Sequence, residues 1–351
     1  MARENKTFVL AKRPTEHIVP GETFKLKVTP APTADDLKDG QALIETLYLS
    51  LDPAMRGWIN DMRSYVTPVA IGEKMRGGVI ARVIASKTPA AKEGDFVTAS
   101  IGWTEVAIVG EKEFQKYEVP KGGKLTDLLG VLGMTGMTAW TGLHRIGKPK
   151  AGETVVVSGA AGATGSVVGQ IAKLRGSRVV GIAGSDDKCA WLKSELGFDV
   201  ALNYKSPTFK EDFAAATPDY IDMYWDNVGG EILELALTRA KKNARFVMCG
   251  SISGYNALGR ETKGIRNLAI VVSQRIRMEG FIVFDFLEDY PAAREEIGKW
   301  LSEGKFKRKE TIVKGGLEKA EYAISDLFEG KNTGKLLVEV KSPDEVRAAK
   351  L

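Results

Sequence analysis

Between the apolar run Thr154 to Ser158 and the stretch opening Ser166-Val167-Val168-Gly169 stands Gly159-Ala160-Ala161-Gly162-Ala163-Thr164-Gly165. A turn of this kind, strand before and helix after, leaves backbone N–H groups free at the positive end of a helix dipole. Its small residues let a pyrophosphate approach the backbone closely. Gly165 and Gly169 also allow helix and sheet to pack tightly. Glycines at this spacing occupy ordinary turns too, and it is the flanking strand and helix that make the motif a dinucleotide site.

Which dinucleotide depends on the end of the next strand, Arg178 to Ala183. An acidic side chain there grips the ribose hydroxyls of NAD and repels the additional phosphate of NADP. Here the strand runs into Gly184-Ser185 with no acid. Asp186 and Asp187 follow at the start of a helix, where acids serve the helix end. Lys188 then offers a cation to a 2'-phosphate, although alone it reads equally as a surface helix residue. The missing acid favours NADP, and NADPH as the reductant.

Two cysteines, Cys189 and Cys249, and two histidines, His17 and His144, are all the chain has of the commonest zinc ligands. No cluster at metal-ligand spacing exists, so no zinc is expected, and zinc-polarised alcohol oxidation is disfavoured. Two cysteines are also too few for a disulfide framework and suit a reducing compartment. The net charge of +5 arises from 50 basic against 45 acidic residues, interspersed along the chain. The basic runs Lys241 to Arg245 and Lys305 to Lys309 are short and lack interleaved aromatics, so no nucleic-acid partner is expected. The charged N-terminus has no signal-peptide core, and no apolar stretch approaches the roughly 18 residues that span a bilayer. The expectation is a soluble cytoplasmic protein. The final Ala349-Lys350-Leu351 differs by one small residue from a peroxisomal address and leaves that compartment open.

The elements that must position these residues fall into two patterns. Up to residue 130 the chain gives short β-type runs, Thr7 to Ala11, Phe24 to Thr29, Gln41 to Ser50, Val79 to Ala85 and Phe96 to Ile101. Turn residues such as Pro30-Ala31-Pro32 and Glu93-Gly94-Asp95 separate them. Gly130, Gly133 and Gly136 then interrupt an apolar stretch that continues as a helix from Met137. From Glu153 onward strands and helices alternate: after the helix Ser166 to Arg175 come a helix over Lys188 to Leu196, strands over Tyr220 to Trp225 and Arg245 to Cys249, and a helix over Glu231 to Ala240 between them. Strands that are apolar throughout predict a parallel sheet covered on both faces. A helix over Ala292 to Ser302 and short strands over Thr311 to Val313 and Lys335 to Val340 complete the chain. The last of these is a natural partner for the open edge of the first sheet. The fold class is therefore α/β, a Rossmann doubly wound parallel sheet over 131–309 and a β-rich domain over 1–130 completed by 310–351.

The sequence resembles the zinc-independent medium-chain dehydrogenases/reductases, in the group of prostaglandin reductase, alkenal double-bond reductase and curcumin reductase. The resemblance runs through nearly the whole chain. It rests on Leu49-Ser50-Leu51-Asp52-Pro53-Ala54-Met55-Arg56, Gly130-Val131-Leu132-Gly133-Met134, the glycine-rich turn with its helix, and Val180 to Ser185. Further matches are Leu196-Gly197-Phe198-Asp199, Asn203-Tyr204-Lys205, Asp226-Asn227-Val228-Gly229-Gly230, Cys249-Gly250, Tyr255-Asn256 and Gly330 to Lys335. It implies a GroES-like first domain, a homodimer, and NADPH held by Gly162, Ala163, Thr164 and Gly165, with Lys188 and Tyr204 near the 2'-phosphate. By the same matching Met134, Asn227, Cys249, Gly250, Ser251, Ile252, Ser253, Tyr255, Phe281, Ile282, Val283 and Asn332 lie along the nicotinamide end. The implied reaction is reduction of the double bond of an α,β-unsaturated aldehyde or ketone, a small molecule, with Tyr255 as the group supporting the carbonyl oxygen. Members often carry Tyr where this chain has Ala54, which puts transferred substrate preferences in doubt.

Plainer readings stand beside these. Asp52-Pro53 reads as a turn, and Arg56 as a residue paired with a nearby acid. Trp58, Trp103 and Trp140 read as packing, Cys249 as core, and Tyr255 reads equally as a buried phenol satisfied by one structural hydrogen bond. Quinones present the same conjugated carbonyl unit, so a quinone reductase is the nearest enzymatic alternative. A non-catalytic NADPH-binding structural or regulatory protein is the alternative of another class.

Overall fold

The computed structural model describes residues 3–257 and 264–343. The C-terminal tripeptide Ala349-Lys350-Leu351 lies outside them. In chain order the first part gives β1 (Glu4–Leu10), β2 (Phe24–Pro30), β3 (Gln41–Leu51), the short helix α1 (Ala54–Trp58), β4 (Val79–Ser86), β5 (Phe96–Ala99), β6 (Val106–Gly110) and β7 (Phe114–Gln115). After α2 (Met134–Gly142) come β8 (Thr154–Val157), α3 (Ala163–Leu174), β9 (Arg178–Ala183), α4 (Asp186–Ser194), β10 (Val200–Asn203), α5 (Phe209–Ala216), β11 (Ile221–Asp226), α6 (Gly230–Thr238) and β12 (Ala240–Met248). The remainder is α7 (Ala269–Gln274), β13 (Arg277–Gly280), α8 (Tyr290–Ser302), β14 (Glu310–Lys314), α9 (Ala320–Phe328) and β15 (Lys335–Glu339).

Among the described residues, six strands form one sheet in the order β10-β9-β8-β11-β12-β13, every pair parallel. Strand order reverses between β8 and β11, so the loops leaving their C-terminal ends part and open a crevice. The valine run of β8 is buried on both faces, as a sheet covered by helices requires. At Gly169 a Cβ would come within 1.9 Å of the Phe198 ring, so the close approach of α3 to the sheet depends on glycine there.

The other sheet is built on β3, whose eleven residues are buried almost throughout. One side of β3 pairs with β4; the other is shared, β6 taking Gln41 to Glu45 and β15 taking Tyr48 to Leu51, both antiparallel. The last strand thus joins the sheet built on β3, while β1 and β2 pair antiparallel in a separate two-stranded sheet. Gly334, just before β15, also pairs across to Gly162, and its N–H donates to the Ala161 carbonyl at 2.7 Å. That stitch sets the glycine-rich turn against the second sheet.

Several elements differ from the sequence reading. Strands β6, β7, β10 and β13 and helices α5, α7 and α9 are missing from that reading; β7, of two residues, carries no period, whereas β6 and α9 are apolar enough to be found. Strand β12 begins at Ala240, where the sequence suggested helix, because Asn243 at φ 64° and a register shift beside it let the polar stretch Lys241 to Arg245 join the sheet. Most cations of the two basic runs form ion pairs. Lys241 holds Asp222 at 2.8 Å, Arg245 holds Glu153, Lys307 holds Glu195 at 2.9 Å and Arg308 holds Asp127 at 2.9 Å. No helix among the described residues is long and apolar enough to cross a membrane.

Candidate functional site

The crevice between the two sheets is a cleft of about 1320 Å³. Its floor is the turn after β8. Gly162 caps α3 in an extended conformation, and no partner is described for the N–H groups of Ala163, Thr164 and Gly165, the orphan donors of a helix start. A Cβ on Gly165 would sit 2.4 Å from the Gly159 carbonyl oxygen, so only glycine keeps this turn closed. A backbone cradle of donors without side chains above it fits a pyrophosphate.

Beyond the end of β9 the cleft is lined by Gly184, Lys188, Tyr204 and Lys205. Ser185 caps α4, and Asp186 and Asp187 are exposed in its first turn, Asp186 accepting from Asn203 at 2.9 Å. Neither of these two acids lines the cleft; Glu329, beside Gly330, does, and it is paired with Lys331 at 2.8 Å. Lys188 Nζ donates to the Gly330 carbonyl at 2.6 Å, which uses one of its three hydrogens. Burial, and then the charge of Lys205, push the Lys188 ammonium below the usual lysine range. Two cations that disfavour each other, beside an aromatic ring, suit a doubly charged phosphate. Lys205 was missed in the sequence, although it stands in the matched run Asn203-Tyr204-Lys205.

The far end of the cleft is organised by Asp226, wholly buried at the end of β11. Its Oδ1 accepts from Ser158 Oγ at 2.9 Å, Tyr224 Oη at 3.1 Å, Val228 N at 3.0 Å and Gly229 N at 2.9 Å. Burial pushes its carboxyl above the usual aspartate range, against these donors. Asn227 donates through Nδ2 to the Ser158 carbonyl at 2.7 Å and accepts from Trp225 Nε1 at 3.0 Å, which locks the ends of β8 and β11 together. Phe281 meets Trp225 edge-on, and burial pushes the Cys249 thiol up to about 12, so Cys249 is a neutral wall. Asn332 Nδ2 donates to the Gly334 carbonyl at 2.9 Å, shaping the strand that closes the opposite side. Every residue expected at the cofactor, from Met134 to Asn332, lines this one cleft.

Tyr255 is half-buried in the loop after β12, and its hydroxyl accepts from the Ser251 N–H at 3.2 Å. The hydroxyl hydrogen is thereby left to point elsewhere. Burial pushes the phenol above the usual tyrosine range, opposed by the Ser251 N–H and reinforced by Cys249, Tyr65 and Asp226. Tyr65 is a second phenol on the cleft wall; it accepts from Trp58 Nε1 at 2.7 Å, so its hydrogen is free too. Nothing in the loop 60–68 singled out Tyr65, since it stands in no periodic pattern. Trp58 therefore belongs to the cleft, whereas Trp103 is core beside Phe8 and Phe24, and Trp140 packs on His144.

Two readings of the Leu49 to Arg56 segment are corrected. Asp52 is more than the start of a turn: it is buried and pairs with buried Lys335 at 2.6 Å, also accepting from Ser50 Oγ at 2.5 Å. Arg56 is wholly buried, and each partner described for it is a neutral oxygen rather than an acid. Removing one partner of a buried ion pair typically costs about 3–5 kcal/mol. Lys335→Met is accordingly expected to lower unfolding stability by roughly that amount, read as a shifted urea midpoint at constant slope. An unshifted midpoint would show that Asp52 needs no cation.

Two family descriptions match the chain, "N-terminal domain of oxidoreductase" over residues 6–117 and "Zinc-binding dehydrogenase" over 163–299. Despite the second name, no group of three or more His, Cys, Asp or Glu among the described residues is placed to hold a metal ion. The chain is 40% identical to the NADPH-dependent curcumin reductase of Escherichia coli (strain K12), covering 97% of this chain and 99% of that protein. It is 42% identical to the 2-alkenal reductase (NADP(+)-dependent) of Nicotiana tabacum, over 91% of this chain and 90% of that one. The crystal structure of CurA in complex with NADPH from Vibrio vulnificus matches with a TM-score of 0.88 at 40% identity, over 96% of this chain and 100% of that chain.

Proposed function

The chain belongs to the medium-chain dehydrogenase/reductase family, among NADP-dependent oxidoreductases, and from that premise we propose that it reduces the carbon–carbon double bond of α,β-unsaturated aldehydes and ketones. NADPH held in the cleft would supply the hydride that such a reduction adds at the β-carbon. The residues of the cleft then have three tasks. Ala163, Thr164 and Gly165 anchor the pyrophosphate, with Lys188, Tyr204 and Lys205 at the 2'-phosphate. Asn227, Cys249 and Phe281 form the rigid wall against which the reacting end is oriented, so that positioning rather than acid–base chemistry carries much of the rate.

Hydride addition leaves enolate charge on the carbonyl oxygen, and a donor fixed in advance stabilises it without reorganising. Tyr255 is the residue that supplies this donor. The observation that carries the reading is its hydrogen bond: the phenol oxygen accepts from Ser251 N, and its proton is therefore available to an oxygen in the cleft. Burial keeps that phenol protonated. Protonation of the α-carbon, from water, completes the saturated carbonyl product. Ala54 lines the cleft with a methyl group where relatives often carry a phenol, which leaves that stretch of wall smaller and less polar.

The test is NADPH oxidation with cinnamaldehyde, benzylideneacetone and menadione, with NADH and a chelator as controls. NADPH-selective, chelator-insensitive turnover of the enal and enone, with the saturated carbonyl recovered, is the expected result. Turnover of menadione alone makes the protein a quinone reductase. NADPH binding with no turnover of any acceptor makes it a non-catalytic NADPH-binding protein.

A further inference from the structure

Arg56 lies on α1 with no exposed surface, in the same short helix as Ala54 and Trp58, which line the cleft. Such a cation is held by hydrogen bonds or not at all, because desolvation costs several kcal/mol per ion. Its Nη2 donates to the carbonyls of Pro14 at 3.0 Å and Glu16 at 2.8 Å, its Nη1 to Asn60, and its Nε to the Glu16 carbonyl at 3.1 Å. These contacts bind the loop before β2 to the end of α1. One further contact is different in kind. Nε also donates to Asn256 Oδ1 at 3.2 Å, two hundred residues away, and Asn256 Nδ2 meets His17 Nδ1 at 3.3 Å.

Asn256 is the neighbour of Tyr255, and the loop that carries both is fastened at its other end to the parallel sheet. Ile252 N donates to the Asn227 carbonyl at 3.2 Å and Ser253 N to the Val228 carbonyl at 3.1 Å. Tyr255 therefore stands on a bridge, one end held by the parallel sheet and the other by Arg56 on the opposite side of the cleft. We propose that Arg56 and Asn256 are positioning residues, which latch this loop across the cleft and set where the Tyr255 phenol delivers its hydrogen. The inference rests on Tyr255 being the donor to the acceptor oxygen. A guanidinium suits the task because its fork is rigid and its charge does not titrate in the working range. The angle at which it holds Asn256 is then fixed by three backbone carbonyl contacts rather than by a mobile surface pair.

The test is a set of variants in which Arg56 keeps its other partners. Asn256→Ala removes the latch, Asn256→Asp returns an acceptor of the same shape, and each is made in the wild-type and Tyr255→Phe backgrounds. Steady-state reduction of benzylideneacetone is read alongside NADPH binding by fluorescence, which reports an intact fold. Asn256→Ala is expected to lower kcat about tenfold with NADPH affinity within about twofold, since misplacing a reacting group by an ångström can cost that much or more. Asn256→Asp is expected to restore kcat to within about threefold of wild type by the same geometric argument. In the Tyr255→Phe background the alanine penalty is expected to vanish, because a latch has nothing left to position. The same penalty in both backgrounds, or none in the wild type while Tyr255→Phe is slow, overturns the latch alone. A Tyr255→Phe enzyme as fast as wild type overturns the donor reading and the latch with it.

Discussion

Lys188→Ala combined with Lys205→Ala is expected to raise the apparent KM for NADPH about a hundredfold, with that for NADH moving by no more than about threefold. A charge-assisted contact to phosphate contributes about 1.5–3 kcal/mol, so Lys188→Ala alone should cost roughly tenfold or more. The charge of Lys205 opposes that of Lys188, whose ammonium donates to the Gly330 carbonyl. A 2'-phosphate carrying close to two negative charges relieves that repulsion, which makes the pair worth more together than either alone. Lys188 is half-buried, so part of the effect should persist at high salt. The measurement is KM for both cofactors at fixed acceptor and at two ionic strengths. An NADPH KM unmoved in the double variant would falsify the assignment of this end of the cleft to the 2'-phosphate.

That end of the cleft was legible in the sequence because its logic is local. A strand, a tight turn and a helix start are adjacent in the chain, and the absence of an acid after Ala183 is visible without coordinates. The parallel sheet was legible for the same reason, since Thr154 to Val157 and Arg178 to Ala183 announce themselves by unbroken apolar runs. What the residues could not disclose depends on partners far apart. Asp52 reads as a turn residue until Lys335 arrives from the last strand, and Arg56 reads as the partner of a nearby acid until Asn256 and the loop before β2 surround it with neutral oxygens. Tyr65 is one aromatic in an irregular loop, and only the fold places it on the cleft wall beside the gap left at Ala54. Short edge elements such as Phe114–Gln115 were invisible because two residues carry no period. The glycine-rich turn is read from the strand and helix beside it in the chain, whereas a buried charge acquires its meaning from whatever covers it.

Tyr255→Phe is expected to lower kcat about a hundredfold with the KM for NADPH within about twofold, the pattern of an interaction made only as charge develops. Loss of one preorganised donor at a developing oxyanion typically costs 10²–10³ in kcat, and the lower bound is expected here because Tyr65 offers another phenol on the cleft wall. The pH profile carries the sign. Burial raises the Tyr255 pKa, so the protonated, donating form persists to higher pH than for a free tyrosine, and kcat should hold flat through neutrality. It should fall only as pH rises through the raised value, above about 10, and that fall should be missing in Tyr255→Phe. Tyr65→Phe is the companion measurement. Its phenol is also raised by burial, with the Trp58 hydrogen bond opposing, yet it is the more exposed of the two and shares its oxygen with the Trp58 indole. A small loss there beside a large one at Tyr255 assigns the oxyanion to Tyr255. The reverse ranking gives it to Tyr65, and would mean that the phenol absent at Ala54 has been replaced from the neighbouring loop.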